Sequence, residues 1–232
     1  MTKSLITLPK IVSKAAFIPI KTTSKRVPGK NFRRLNGEPL YKYIISNTIE
    51  SQAFDEIFID TDSEEILSYA KGLSLRTIMR LDELAADNAN GNDLLNFHHK
   101  KFPNFEYYFQ LFATAPLLKP DSISKCVNLL TASSEADSIL TVTKECGWFW
   151  FQGQPVNYDP KVLPRSQDAE MLTKESTGLY GIQKDALKKY SCRIGAKPIM
   201  HEIEPIESLD IDTEHEFLLA EKLAKDINIK IL

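Results

Sequence analysis

Residues 21–34 read Lys-Thr-Thr-Ser-Lys-Arg-Val-Pro-Gly-Lys-Asn-Phe-Arg-Arg, six basic residues in fourteen with no acid among them. The chain-wide frequency, 29 Lys and Arg in 232 residues, predicts about two in such a stretch. Thr22, Thr23, Ser24 and Gly29 let backbone N–H groups approach an anion closely. The lysines supply charge-assisted hydrogen bonds suited to a polyphosphate. The glycine–glycine–lysine order of a Walker loop is absent, and Pro28 interrupts the segment. From charge alone, a solvated basic loop or a nucleic-acid patch is as good a reading as a phosphate cradle. Far downstream, Ser208-Leu-Asp-Ile-Asp-Thr213 sets two carboxylates two residues apart. In extended backbone, residues i and i+2 share a face. Asp210 and Asp212 could then hold a hard cation such as Mg2+ through oxygen, bridging phosphate oxygens. On spacing alone the simpler alternative is that Asp212 caps a helix starting near Thr213, with Asp210 in solvent.

A site of this kind needs a scaffold that joins two distant segments. Residues 15–20 read as a buried strand that delivers the chain into the basic loop. A helix is expected over 39–51, with Pro39 in its first turn. A second strand follows at 56–61, then a helix capped by Asp62 or Ser63 with Glu64 and Glu65 in its first turn. Further strands are expected at 74–79, 107–112 and 138–142, with helices starting at Asn92 or Asp93 and at Pro120. Alternation of this kind implies an α/β fold with a doubly wound, mainly parallel sheet and helices on both faces. In such sheets ligands bind outside the carboxyl ends of strands, where the basic loop lies. After Lys144 the pattern breaks into an aromatic hairpin or excursion, with Trp148, Phe149, Trp150 and Phe151 on one side of Gly153. That cluster reads as packing or a subunit interface rather than a stacking surface for a base. The α/β pattern resumes with strands at 177–182 and 199–203 and helices at 184–190 and 213–225. His98 and His99, beside Lys100 and Lys101, read as a solvated helix face without a metal role.

The basic loop carries a family resemblance. Residues 17–31, Phe-Ile-Pro-Ile-Lys-Thr-Thr-Ser-Lys-Arg-Val-Pro-Gly-Lys-Asn, resemble the opening motif of the acylneuraminate cytidylyltransferases, the CMP-sialic acid synthetase family. That motif runs roughly I-P-A-R-G-G-S-K-x-I-P-x-K-N. Ser24, Lys25, Lys30 and Asn31 fall on family positions. Lys21 replaces the family arginine, and Thr22 and Thr23 replace its glycines. Lysine keeps the charge but loses the planar fork, which suggests a side branch. Asp60-Thr-Asp-Ser-Glu-Glu-Ile66 is similar to the family's segment after its second strand. Arg80-Leu-Asp-Glu-Leu-Ala-Ala-Asp87 resembles the stretch R-P-x-E-L-A-x-D that borders the cytosine pocket, which implies nucleotide contacts for Arg80 and Asp87. Thr114-Ala-Pro-Leu117 resembles T-S-P-L; the family glutamine two residues earlier is Phe112 here, with Gln110 nearby. Residues 112–116 and Arg165-Ser-Gln-Asp168 are closer to the pseudaminic acid cytidylyltransferase branch.

The resemblance implies a single nucleotide-diphospho-sugar transferase-like domain over 1–232, with 145–175 as a small lobe or dimerisation excursion. It implies transfer of CMP from CTP, as co-substrate, to the anomeric hydroxyl of an acidic 2-keto-3-deoxy sugar in cell-surface polysaccharide biosynthesis, by a homodimer. Lys21 and Lys30 would stabilise phosphate charge. The family carries S-I-D-I-D-T with metal-binding aspartates, which assigns Mg2+ to Asp210 and Asp212. An acidic sugar needs a cation for its carboxylate. Arg165 fits by its bidentate fork, with a surface ion pair as its plain alternative. Gln167 would read hydroxyls, and Thr177-Gly-Leu-Tyr180 resembles the strand facing the sugar. Two alternatives stand beside this reading: a CTP-dependent transferase for another acid such as an octulosonate, and a catalytically silent nucleotide-binding homologue.

Composition excludes other classes. With 43% hydrophobic and 26% charged residues the chain is ordinary for a globular protein. A net charge of -2 disfavours a general nucleic-acid or membrane binder. Cys126, Cys146 and Cys192 are far apart with no CxxC spacing, which argues against zinc or a disulfide framework and for a reducing compartment. No apolar run reaches the roughly 18 residues that span a bilayer, and the first fourteen residues do not read as a signal peptide. A cytoplasmic location is expected.

Overall fold

In the computed structural model, which describes residues 13–86, 88–226, 229, 231 and 232, the first apolar run forms strand β1 (Lys14–Ile20). Ala15, Ala16, Phe17 and Ile18 are fully buried. Because strand side chains alternate, Ala16, Ile18 and Ile20 enter one core and Ala15 and Phe17 the other. A strand buried on both faces requires helices on both sides of its sheet.

The basic loop leaves β1 and ends in a hairpin of β2 (Arg34–Leu35) and β3 (Glu38–Pro39). Asn36 and Gly37 connect them with φ of 47° and 93°, the two left-handed positions that a tight hairpin turn demands. Pro39 therefore ends a strand with ψ of 139°, and α1 (Leu40–Glu50) begins one residue later; the expectation of Pro39 inside the first helical turn is corrected. Then come β4 (Glu56–Thr61) and α2 (Glu64–Gly72), where Ser63 Oγ accepts the Ile66 N–H as the cap. β5 (Arg76–Met79) and the single turn α3 (Asp82–Ala85) follow. Helix α4 (Gly91–Lys101) starts slightly earlier than expected, because Asn90 and Asp93 form a reciprocal capping box.

The chain continues through β6 (Tyr107–Leu111), α5 (Pro120–Ala132) and β7 (Ser138–Glu145). The aromatic excursion contains a small separate hairpin, β8 (Trp150–Phe151) with β9 (Gln154–Pro155). The last elements are β10 (Leu172–Gln183), α6 (Lys184–Tyr190), β11 (Pro198–Glu202) and α7 (Glu214–Asp226).

The main sheet has seven strands in the order β11-β7-β10-β6-β1-β4-β5. It is mostly parallel, but β10 runs antiparallel to both β6 and β7, and it is twice as long as the six residues expected there. Helices α1, α2 and α5 cover one face through Ile44, Ile66 and Val127. Helices α4 and α6 cover the other through Leu95 and Leu187. Helix α7 packs Phe217, Ala220 and Ala224 onto Leu35, Leu40 and Ile211, which draws the chain preceding it against the basic loop. The strand order reverses beside β1, and the loop lies at the carboxyl end of that strand, where open α/β sheets form their crevice.

Candidate active site

Lys21, Ser24, Lys25, Lys30, Asn31 and Arg80 all line one cavity of about 580 Å3 at this crevice. Internal bonds shape the loop around it. The Thr22 N–H and hydroxyl both donate to the Asp62 carboxylate, at 2.7 and 2.6 Å, tying the loop to the end of β4. Asn31 Nδ2 donates to the Lys21 carbonyl at 2.8 Å, which closes the loop on itself. Gly29 adopts φ of 64° and turns the chain into a short 3-10 helix, Lys30–Phe32, that buries Lys30 and Asn31.

The carboxylate pair arrives from the far end of the chain. Ile211 N–H donates to the Thr114 carbonyl at 2.8 Å, pinning the segment beside β6. Lys30 Nζ donates to the Ile211 carbonyl, between the two aspartates, and lies 3.5 Å from Asp212 Oδ1. Arg26 grips both Asp212 oxygens at 2.7 Å. Asp212 is not the helix cap. Thr213 Oγ1 accepts the Glu216 N–H at 3.3 Å, and Glu216 Oε2 accepts the N–H groups of Thr213 and Asp212 at 2.7 and 2.9 Å. This capping box leaves both aspartate side chains to the loop. Burial lowers the Lys30 pKa, with Asp212 and Asp210 opposing.

Asp210 Oδ1 is buried and has no hydrogen-bond partner among the described residues. A buried, unpaired carboxylate oxygen is costly unless a ligand satisfies it. Arg26 and Lys30 show that Asp212 already accepts cations. The donors are hard oxygens, which fit Mg2+ bound by one or two carboxylates plus phosphate oxygens. No cluster of three or more His, Cys, Asp or Glu suited to a metal occurs among the described residues.

Arg80 is buried and held by Asp60. Its Nε donates to Asp60 Oδ1 at 3.1 Å and one terminal nitrogen to the Asp60 carbonyl at 2.8 Å. The other carboxylate oxygen meets His98 Nε2 at 2.7 Å. His98 is fully buried and stacks on Phe17 with centroids 4.5 Å apart. The solvated reading of His98 and His99 is thus wrong: His99 is buried too, packed edge-on against Tyr108. Burial lowers the His98 pKa, overriding Asp60, so the ring is neutral at pH 7. Burial pushes the Asp60 carboxyl up, but the hydrogen bond from His98 and the Arg80 charge together bring it below the usual range.

The expected sugar-contacting residues separate. Gln110 is buried in β6; its Nε2 donates to the Gly91 carbonyl at 3.0 Å, and its Oε1 has no partner among the described residues. Tyr180 is buried in β10, donates to Glu175, and meets Phe112 of the cavity wall edge-on at 6.2 Å. Arg165 and Gln167 are exposed on the excursion and do not line the cavity. Arg165 folds onto its neighbour Asp168, at 2.5 and 3.1 Å, as a surface ion pair. Asp87 lies outside the described residues. Sequence reasoning missed Arg26, although it belongs to the basic run, and the stapling role of Asp62. It also missed Arg193, whose guanidinium lies 3.6 Å above the Tyr180 ring.

N-acylneuraminate cytidylyltransferase A of Danio rerio is 26% identical over 216 residues, covering 90% of this chain and 50% of that protein. The pseudaminic acid cytidylyltransferase of Campylobacter jejuni is 32% identical over 113 residues, 47% of this chain and 49% of that protein. The chain spans about half the length of the curated relatives it matches. A CMP:2-keto-3-deoxy-manno-octonic acid synthetase complexed with CTP shares the fold, with a TM-score of 0.69 at 16% identity over 93% of this chain and all of that one. The family profile described as cytidylyltransferase matches residues 15–230, and the chain belongs to that family.

Proposed function

We propose that the protein transfers CMP from CTP to the anomeric hydroxyl of an acidic 2-keto-3-deoxy sugar of the nonulosonic type, with release of pyrophosphate. The observation that carries this reading is the closure of the basic loop on the carboxylate segment, through the bond from buried Lys30 to the Ile211 carbonyl. A merely solvated loop would hold its lysines outward. The names of the relatives, which act on acylneuraminate and pseudaminic acids, support the acceptor class.

In this reading Lys21, Ser24, Lys25 and Lys30 hold the triphosphate, while Asn31 and Arg80 border the nucleoside. The acceptor's anomeric oxygen forms a bond to the α-phosphorus in line, the bond from that phosphorus to pyrophosphate breaks, and the hydroxyl proton passes to solvent. Lys21 and Lys30 stabilise the charge that grows on the departing phosphates, so catalysis is positioning plus electrostatics. A divalent cation such as Mg2+, held by Asp210 and Asp212, would add charge neutralisation at the phosphate oxygens. Gln110 and Tyr180 stand on the acceptor side. Arg165 and Gln167, on the excursion, do not line this cavity. The exposed Trp150 and Phe151, at 59% and 68%, support residues 145–175 as a dimerisation excursion of a single domain. The three cysteines are unpaired, and no helix among the described residues is long and apolar enough to cross a membrane; both fit an enzyme of the cytoplasm.

The test is pyrophosphate release from CTP with N-acetylneuraminate, pseudaminate and 2-keto-3-deoxy-manno-octonate as acceptors. Turnover is expected with a nonulosonic acid. Turnover with the octonate alone would move the acceptor class. Tight CTP binding without turnover of any acid would replace the reading with a silent nucleotide binder.

A further inference from the structure

We propose that Arg193, rather than Arg165, is the cation in this chain that receives the acceptor's carboxylate, and that Glu175 occupies the same seat as an internal competitor. The inference rests on the acceptor reading above and adds the residue that reads its acid group.

Arg193 stands at the edge of the nucleotide cavity. A Cβ built on Gly91, which lines that cavity, would lie 2.7 Å from Arg193 Nη1 and 3.1 Å from Gln110 Oε1. The guanidinium carbon lies over the Tyr180 ring, 3.6 Å from its centroid, and 5.7 Å from that of Phe112, another cavity residue. Stacking on an aromatic face orients the planar fork and leaves its edge for an anion. The side chain is 24% exposed, so a ligand can reach it while much of the surrounding water is excluded.

The backbone beneath Arg193 is fixed from several sides. Its N–H donates to Asn92 Oδ1 at 2.9 Å, and Asn96 Nδ2 donates to the Ser191 carbonyl at 2.8 Å. Gly195 N–H is held by Ser138 Oγ at 2.8 Å. Anchoring to α4 and β7 gives the cation a set position relative to the crevice.

Two further observations point to a ligand. Gln110 Oε1, fully buried beside Arg193, has no partner among the described residues. It is an acceptor that a sugar hydroxyl would satisfy. Glu175 Oε1 lies 3.5 Å from Arg193 and accepts the Tyr180 hydroxyl. That separation is long for a charge-assisted bond. Glu175 is 45% exposed and sits where the register of β10 on β7 breaks, so it can yield the seat to an incoming carboxylate.

The test compares wild type, Arg193→Met, Arg193→Lys and Glu175→Gln in CTP-dependent pyrophosphate release. The acceptor is whichever of the three acids named above turns over fastest, paired with its C1 carboxamide. Arg193→Met should raise KM for the acid about 10- to 100-fold, the worth of a hydrogen bond between charged groups. It should leave KM for CTP unchanged and abolish the preference of acid over carboxamide. Arg193→Lys should keep part of that preference. Glu175→Gln, which retains an acceptor for Tyr180, should lower KM for the acid and provides a test even where Arg193→Met does not fold. An unchanged acid preference in Arg193→Met, or an unchanged or raised KM in Glu175→Gln, would overturn the assignment and leave the transferase reading standing. Absence of turnover with every acid in wild type would sink both.

Discussion

Lys30 shows how a single residue links fold and chemistry. Its ammonium is buried against a carbonyl and beside two carboxylates, so its charge is paid for by Asp210 and Asp212 rather than by water. Because burial lowers its pKa, the protonated form disappears below the ordinary lysine value of 10.5 as pH rises. The alkaline limb of kcat/KM, which reports free-enzyme groups, should therefore fall below that value. Lys30→Met keeps the volume and removes the charge. The expected loss in kcat is about 10²- to 10³-fold, as for removal of one preorganised donor. The urea midpoint should fall by far less than the activity, since Asp212 keeps Arg26 as a partner and the substitution removes the cost of burying an ammonium. A collapse in stability proportionate to the lost activity would make Lys30 a structural residue instead.

At the scale of elements, the loop's shape depends on where it is stapled. Thr22, standing at a glycine position of the motif, spends both its N–H and its hydroxyl on Asp62 at the end of β4. Asp62→Ala removes two hydrogen bonds to a charged acceptor and should cost about 2 kcal/mol in a urea titration, allowing for the part exposure of the pair. It should also raise KM for CTP several-fold as the loop loses its set position; an unchanged KM would mean the loop is shaped from within. Much at this scale could be read from the chain. The strand at 56–61 and the helix at 184–190 fall where apolar spacing puts them. The direction of β10 could not be read, because a buried run of apolar residues has the same pattern in either orientation. The hairpin at Asn36-Gly37 carried a usable signal in that dipeptide. So did His98, which lies three and four residues after Leu95 and Leu94 on the buried stripe of α4, although Lys100 and Lys101 suggest a wet face. The site divided similarly. Basic run and aspartates were legible as chemistry, but which arginine reaches the crevice is a matter of three-dimensional placement, and Asp168 captures Arg165 locally.

Across the whole molecule, Asp60, Arg80 and His98 couple the sheet, α4 and the cavity wall, and they set how the fold responds to acid. His98 is neutral in the folded chain, with its pKa below 6.5 because burial outweighs Asp60. The unfolded chain takes up a proton near 6.5, where the folded chain does not. Unfolding therefore binds protons in the window below 6.5, and stability falls as pH drops through it. Asp60 acts lower. Its folded pKa lies under 3.8, so its contribution is fully present above that value and is lost as pH falls through the lower one. Acid loss of stability should come in two stages, histidine first. His99 and His201 are shifted in the same direction by burial and add to the first stage. His98→Gln keeps a donor for Asp60 and removes the buried titration. In urea unfolding at pH 7.5, 6.5 and 5.5, wild type should lose up to about 1.4 kcal/mol per pH unit for each such histidine, and the variant one histidine's share less. A steeper loss in the variant than in wild type would mean that His98 is protonated in the folded chain. Asp60 would then carry two cationic partners rather than one, and the placement of Arg80 in the cavity wall would be set by a different balance of charge.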